Sequence, residues 1–133
     1  MKSNLFYLAL FMFFPIVMII DGLTPPPKKI GSPFGYRMPM AKKNQYTWDF
    51  ANRYSKKLDL KMGFIFLPIC VILYVILIFL GDEVLGIVWV ALMIILFIIA
   101  TLHTILVTIA LRKNFDRHGT MKKSFNTFKS ENE

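Results

Sequence analysis

The sequence predicts an all-α integral membrane protein: three transmembrane helices and an amphipathic interfacial helix on the cytoplasmic side, in a single membrane domain over 1–133. Three observations predict it. Hydrophobic residues fill 56% of the 133 positions, with long uncharged runs that a water-soluble domain would not carry. Those runs place spans at about 4–20, 62–81 and 84–111, and about 20 apolar residues suffice to cross a hydrocarbon core of ~30 Å. The Lys and Arg residues collect outside the runs, in a basic loop at 21–61 and a tail at 112–133, which is how cytoplasmic flanks of membrane spans are built.

The first run is preceded by one basic residue, Lys2, and followed by "IIDGLTPPP". No small-x-small cleavage site follows it, so it reads as a retained span rather than a removed signal peptide. Pro15 is expected to kink it, a defect that neighbouring helices tolerate. Asp21-Gly22 ends the helix and Pro25-Pro26-Pro27 prevents its continuation. The segment "KKIGSPFGYRMPM" holds Gly31, Pro33, Gly35 and Pro39, which is loop chemistry. Regular structure is expected to resume near Asn44. From 44 to 61, Gln45, Asp49, Asn52, Lys56 and Asp59 form one polar face, and Tyr46, Trp48, Phe50, Ala51, Tyr54 and Leu58 the other. Such a helix is expected to lie in the interface with its rings at headgroup depth.

Spans two and three are joined by "GDEV", a tight helical hairpin turn. The third run would reach about 42 Å at ~1.5 Å per residue, so it should tilt or project from the bilayer. The tail mixes bases with Phe115, Phe125 and Phe128 and is expected to be mainly solvated. Nine Lys and Arg fall in 21–61, none in the hairpin turn and six in the tail. The positive-inside rule then puts loop and tail in the cytoplasm, and the hairpin turn and N-terminus outside.

Chemistry is sparse. The one cysteine, Cys70, sits in the second run and allows neither an internal disulfide nor a cysteine-based metal site. Phosphate-binding glycine loops, Ser-His-Asp sets and metal-ligand spacings are absent, so no catalytic residue, metal or cofactor is expected. The net charge of +8 flanks the spans and points to the lipid bilayer, not nucleic acid. In the third span Thr101, Thr104 and Thr108 share a helical face beside His103. This polar face could line a proton relay. With no carboxylate inside any span, bonding between helices, or of each threonine to its own helix, is the favoured reading.

The loop is more particular. Gly35 permits backbone conformations that other residues resist. Arg37 carries a permanent charge and five donors. Trp48 combines a large ring with one donor, and Asn52, one turn later, can both donate and accept. Arg37 and Asn52 are expected to meet and pin the loop to the helix, or to bind a ligand with the same groups.

Gly35-Tyr36-Arg37, then Trp48-Asp49-Phe50-Ala51-Asn52, resembles the signature of the SdpI family of membrane proteins. The resemblance runs over roughly residues 30–110 and makes the chain similar to the family's minimal three-span module. The family's named member is longer. It is an immunity protein against a secreted, membrane-active peptide toxin, and a toxin sensor that holds a repressor at the membrane. The resemblance therefore implies a bacterial cytoplasmic membrane protein that binds a peptide toxin or a partner membrane protein, with Gly35, Tyr36, Arg37, Trp48, Ala51 and Asn52 as its binding or structural motif. Position 38 is commonly a hydroxyl residue in the family; Met38 stands here, so no hydroxyl role is assigned to it. The alternative is a small accessory subunit of a larger membrane complex.

Overall fold

A computed structural model describes residues 2–79 and 82–122, and it is all-helical there. Three long helices follow in order: α1 Lys2–Leu23, α2 Gln45–Ile78 and α3 Asp82–Asn114. Each is long and apolar enough to cross a membrane. The expected hairpin glycine, Gly81, and the tail residues Phe125 and Phe128 lie outside the described residues.

α1 runs through Pro15 without interruption and ends one residue beyond Gly22, where the Thr24 hydroxyl donates to Asp21 O at 2.7 Å. α2 starts where the loop chemistry stops, but it is not a separate interfacial helix followed by a span. Its 34 residues form one helix, about 51 Å long at ~1.5 Å per residue. That exceeds the hydrocarbon core, so the helix extends beyond it or tilts. The reason is local: "KKLDLKMGF" contains no proline, and its one glycine does not suffice to end a helix whose neighbours on both sides favour it. Pro68 lies farther inside α2 and withholds one N–H, a loss that membrane helices accommodate.

The helices contribute to two compact units. The first combines Met1–Thr24 with Lys56–Thr101. Its core is Phe11 and Leu77, with Tyr7, Met12, Leu73, Val84, Val88, Trp89 and Leu92 packed against them. Gly63 lets α1 and α2 approach closely: a Cβ there would lie 2.6 Å from Ile19 Cγ1 and 3.0 Å from Ile19 N. Small residues at such crossings are what van der Waals packing between membrane helices requires. The Lys56 ammonium donates to Asp21 Oδ1 at 2.7 Å and to Thr24 Oγ1 at 2.9 Å. This ties α2 to the C-terminal end of α1, where a cation is also favoured by the helix dipole.

Only 6% of the apolar window of α3 is buried. In water that surface would far exceed what a soluble monomer exposes. A bilayer removes the conflict, and the chain is a membrane protein.

The second unit combines Pro25–Ser55 with the chain from Leu102 onward. Ala41, Trp48, Ala51, Val107, Leu111 and Phe115 are its buried apolar core. Phe50 meets Phe115 edge-on at 5.4 Å. The expectation of a solvated tail therefore fails at its start. Phe115 is 1% exposed and bridges to Met121, because a ring that follows directly on an apolar helix face stays on that face.

Candidate binding site

The loop and the first turns of α2 form one hydrogen-bonded assembly. Asn44 caps α2: its Oδ1 accepts from Thr47 N at 2.9 Å, and Thr47 Oγ1 accepts from Asn44 N at 3.1 Å. This reciprocal arrangement satisfies the donors that a helix start leaves open. One turn on, Trp48 is wholly buried within the protein, and its Nε1 donates to Pro27 O at 2.7 Å. The last carbonyl of the proline run is thereby fastened to α2.

Asn52 is 1% exposed and uses both ends of its amide. Its Nδ2 donates to Trp48 O at 2.8 Å, and its Oδ1 accepts from the backbone N–H of Tyr36 at 2.6 Å. The loop is pinned to the helix as expected, but by Tyr36 N and not by Arg37. The Arg37 side chain is exposed and has no hydrogen bond or ion pair among the described residues. The physical reason is proximity: Gly35 brings the backbone itself against the helix. A Cβ on Gly35 would lie 2.7 Å from Trp48 Cζ2, 2.8 Å from Asn52 Oδ1 and 2.9 Å from Pro27 Cγ, so no side chain fits there.

The Tyr36 ring reaches α3. Its hydroxyl lies 2.9 Å from both Thr104 O and Thr108 Oγ1, and Thr108 Oγ1 donates to Thr104 O at 2.9 Å. Burial pushes the phenol above its ordinary pKa, against the Thr108 hydrogen bond, which lowers it. Tyr36 is thus a neutral donor at physiological pH. Thr101 instead bonds to its own helix through Phe97 O at 2.9 Å. His103 Nε2 lies 3.4 Å from Ser55 Oγ. The polar face is therefore bonded to its own helix and to the loop and α2. Gly35, Tyr36, Trp48, Ala51, Asn52, Thr104 and Thr108 come together; Thr101 and the head of Arg37 stand outside.

A family model for the SdpI/YfhL proteins matches residues 28–110, a stretch that takes in Gly35, Tyr36, Trp48, Ala51, Asn52, Thr104 and Thr108. The chain belongs to the SdpI/YfhL protein family. No curated protein and no solved structure matches it significantly. The three helices are consistent with a three-span SdpI/YfhL module.

Sequence reasoning missed two features. The Lys56–Asp21 pair joins positions 35 apart, and a lysine on a polar face gives no sign of a distant partner. The second is the turn after α3, where "DRHGT" was legible as turn chemistry. Asp116 Oδ1 accepts from the N–H groups of His118 and Thr120 at 2.8 and 2.9 Å, and Oδ2 accepts from Thr120 Oγ1 at 2.6 Å. Gly119, at φ +85, turns its carbonyl towards the α2 cap, where its O accepts from Asn44 Nδ2 at 2.8 Å. The Thr120 hydrogen bonds are the main cause that lowers the Asp116 pKa to about 2. The folded turn therefore favours the ionised carboxylate. Its contribution is complete above the unfolded pKa of about 3.9 and is lost as pH falls towards 2. Lowering the pH from 5 to 2 is expected to lower the amide-exchange protection factors of His118 and Thr120. In Asp116→Asn that acid sensitivity should vanish; identical profiles in both proteins would show that the carboxylate does not hold the turn.

Proposed function

We propose that this protein gives immunity to, or senses, a membrane-active peptide toxin in the bacterial cytoplasmic membrane, by binding and without catalysis. The observation that carries the reading is the SdpI/YfhL match, which includes the Gly35–Asn52 assembly. The named SdpI protein is an immunity protein and toxin sensor. The geometry supports a binding role. The backbone at 35 and 36 is clamped by Asn52, and Arg37 stands exposed beside it. Phe34 and Met38, both exposed large apolar residues, flank it. A cation between two apolar groups on a rigid edge suits a peptide whose own surface is apolar with a few acceptors.

Arg37→Lys tests this. An exposed, unpaired side chain contributes little to folding, so melting should shift by no more than about 0.5 kcal/mol equivalent. Protection of toxin-sensitive cells should nonetheless fall, because an ammonium does not reproduce the guanidinium fork. Lys42→Arg should leave both unchanged. Full protection by Arg37→Lys would remove Arg37 from the site.

The orientation proposed is N-terminus outside and C-terminus in the cytoplasm, supported by nine Lys and Arg in 21–61 against none in the hairpin turn. A cysteine introduced at Ser130 should resist impermeant thiol reagents on intact cells; labelling there would invert the topology. The N-terminal part of α2, with Tyr46 exposed, is proposed to lie at headgroup level.

The alternative, an accessory subunit, is favoured by the open apolar surface of α3, which a partner's helices would cover as well as lipid does. A stoichiometric partner retained in mild detergent, with no toxin protection by the protein alone, would replace the immunity reading.

A further inference from the structure

We propose that a cleft at the C-terminal end of α3 binds the headgroup phosphate of an anionic phospholipid. The cleft has a volume of about 680 Å³. Among the described residues four cations line it from three separate segments: Lys43 from the loop, Arg112 from the end of α3, and Arg117 and Lys122 from the turn that follows. Among the described residues the one carboxylate in the lining is Asp116, which is engaged within its own turn by His118 and Thr120. Lys122 Nζ donates to Arg112 O at 2.6 Å and closes the helix end. Lys43, Arg112 and Arg117 are exposed and have no side-chain hydrogen bond or ion pair among the described residues. Two guanidiniums and an ammonium converging on one concavity match the oxygens of a phosphate, and each guanidinium can bond two of them at once.

The source of that phosphate is argued from position. Arg112 follows directly on Leu111, the last residue of the uncharged run, so the cleft opens where the hydrocarbon ends and the headgroups begin. Its wall also includes Pro39, Met40 and Phe115, apolar groups that suit a glycerol backbone and the first methylenes of an acyl chain. A free anion would make no use of them. Scattered basic flanks attract anionic lipid diffusely; a cleft gives saturable binding of one lipid.

The test uses the full chain in uncharged detergent, titrated with phosphatidylglycerol, with phosphatidylcholine of the same chains, and with inorganic phosphate, and read by native mass spectrometry. One phosphatidylglycerol is expected to be retained, phosphatidylcholine is not, and inorganic phosphate at equal concentration should fail to displace the lipid. Arg112→Gln/Arg117→Gln should weaken retention roughly tenfold or more, the effect of losing charge-assisted bonds. Lys28→Gln/Lys29→Gln removes the same charge outside the cleft and should change it less than about twofold. Lys43→Gln, on a different segment, should also weaken retention, which keeps the test valid if the double cleft variant fails to fold. Equal weakening by both double variants, unchanged retention in Lys43→Gln, or displacement by inorganic phosphate would each overturn the proposal.

Discussion

Trp48→Ala is expected to destabilise the second unit by about 3–5 kcal/mol, the range for emptying a fully buried large aromatic site. Trp48 is 0% exposed, and three segments depend on it: the proline run through the 2.7 Å bond to Pro27 O, the loop through Gly35, and α2 itself. Trp48→Phe is the more informative change. It keeps most of the apolar area but removes the Nε1 donor and the outer ring, so Pro27 O loses its partner and a void opens against Gly35. A cost of about 1–3 kcal/mol follows from the unpaired acceptor. Gly35→Ala in the natural background should cost a similar amount, about 1–3 kcal/mol, through overpacking. In the Trp48→Phe background it should cost less, because the nearest of its three clashes, with Trp48 Cζ2, is relieved while those with Asn52 and Pro27 remain. Sub-additivity of the two changes is the signature of direct contact. Denaturation in mixed micelles measures all three; strict additivity would mean that Gly35 and Trp48 do not share one packed site.

The spans were legible because their signal is one-dimensional: an uncharged run of sufficient length needs no knowledge of neighbours. The resumption of structure at Asn44 was legible for a similar reason, since capping chemistry is local, and α2 begins at Gln45. The site was half legible. Trp48 and Asn52 lie one turn apart, and their donors and acceptors announce that something must be bonded. What they bond is the backbone, at Pro27 O and Tyr36 N. Every residue offers backbone groups, so the sequence pointed to Arg37 as the conspicuous donor and named Tyr36 without giving its backbone the pinning role. The threonine face was recognised without its partner, because the Tyr36 hydroxyl reaches Thr104 across 68 positions and Thr108 across 72. The boundary between interfacial helix and span was drawn from the change in polarity at Met62. A helix, however, ends where its hydrogen bonds are broken, and polarity alone breaks none.

Asn52→Ala is expected to release the loop while leaving α2 intact. The Trp48 carbonyl sits inside the helix, where main-chain bonding can serve it without the Asn52 amide. The Tyr36 N–H has no such substitute: it donates to Asn52 Oδ1 at 2.6 Å in a part-buried position, and truncation leaves it unpaired at a cost of about 1–3 kcal/mol. The loss should appear as faster amide exchange at Tyr36, with protection in the body of α2 unchanged. Asn52→Asp separates the two ends of the amide. Its carboxylate still accepts from Tyr36 N, but an oxygen replaces the donor that lies 2.8 Å from Trp48 O. A buried charge then faces a carbonyl, and desolvation adds to the repulsion. Asn52→Asp should therefore be more destabilising than Asn52→Ala at neutral pH and should recover as the pH is lowered and the carboxyl becomes a donor. If the aspartate variant were as stable as the natural protein at pH 7, the Nδ2 end would contribute nothing, and the clamp on the loop would reduce to the single bond at Tyr36.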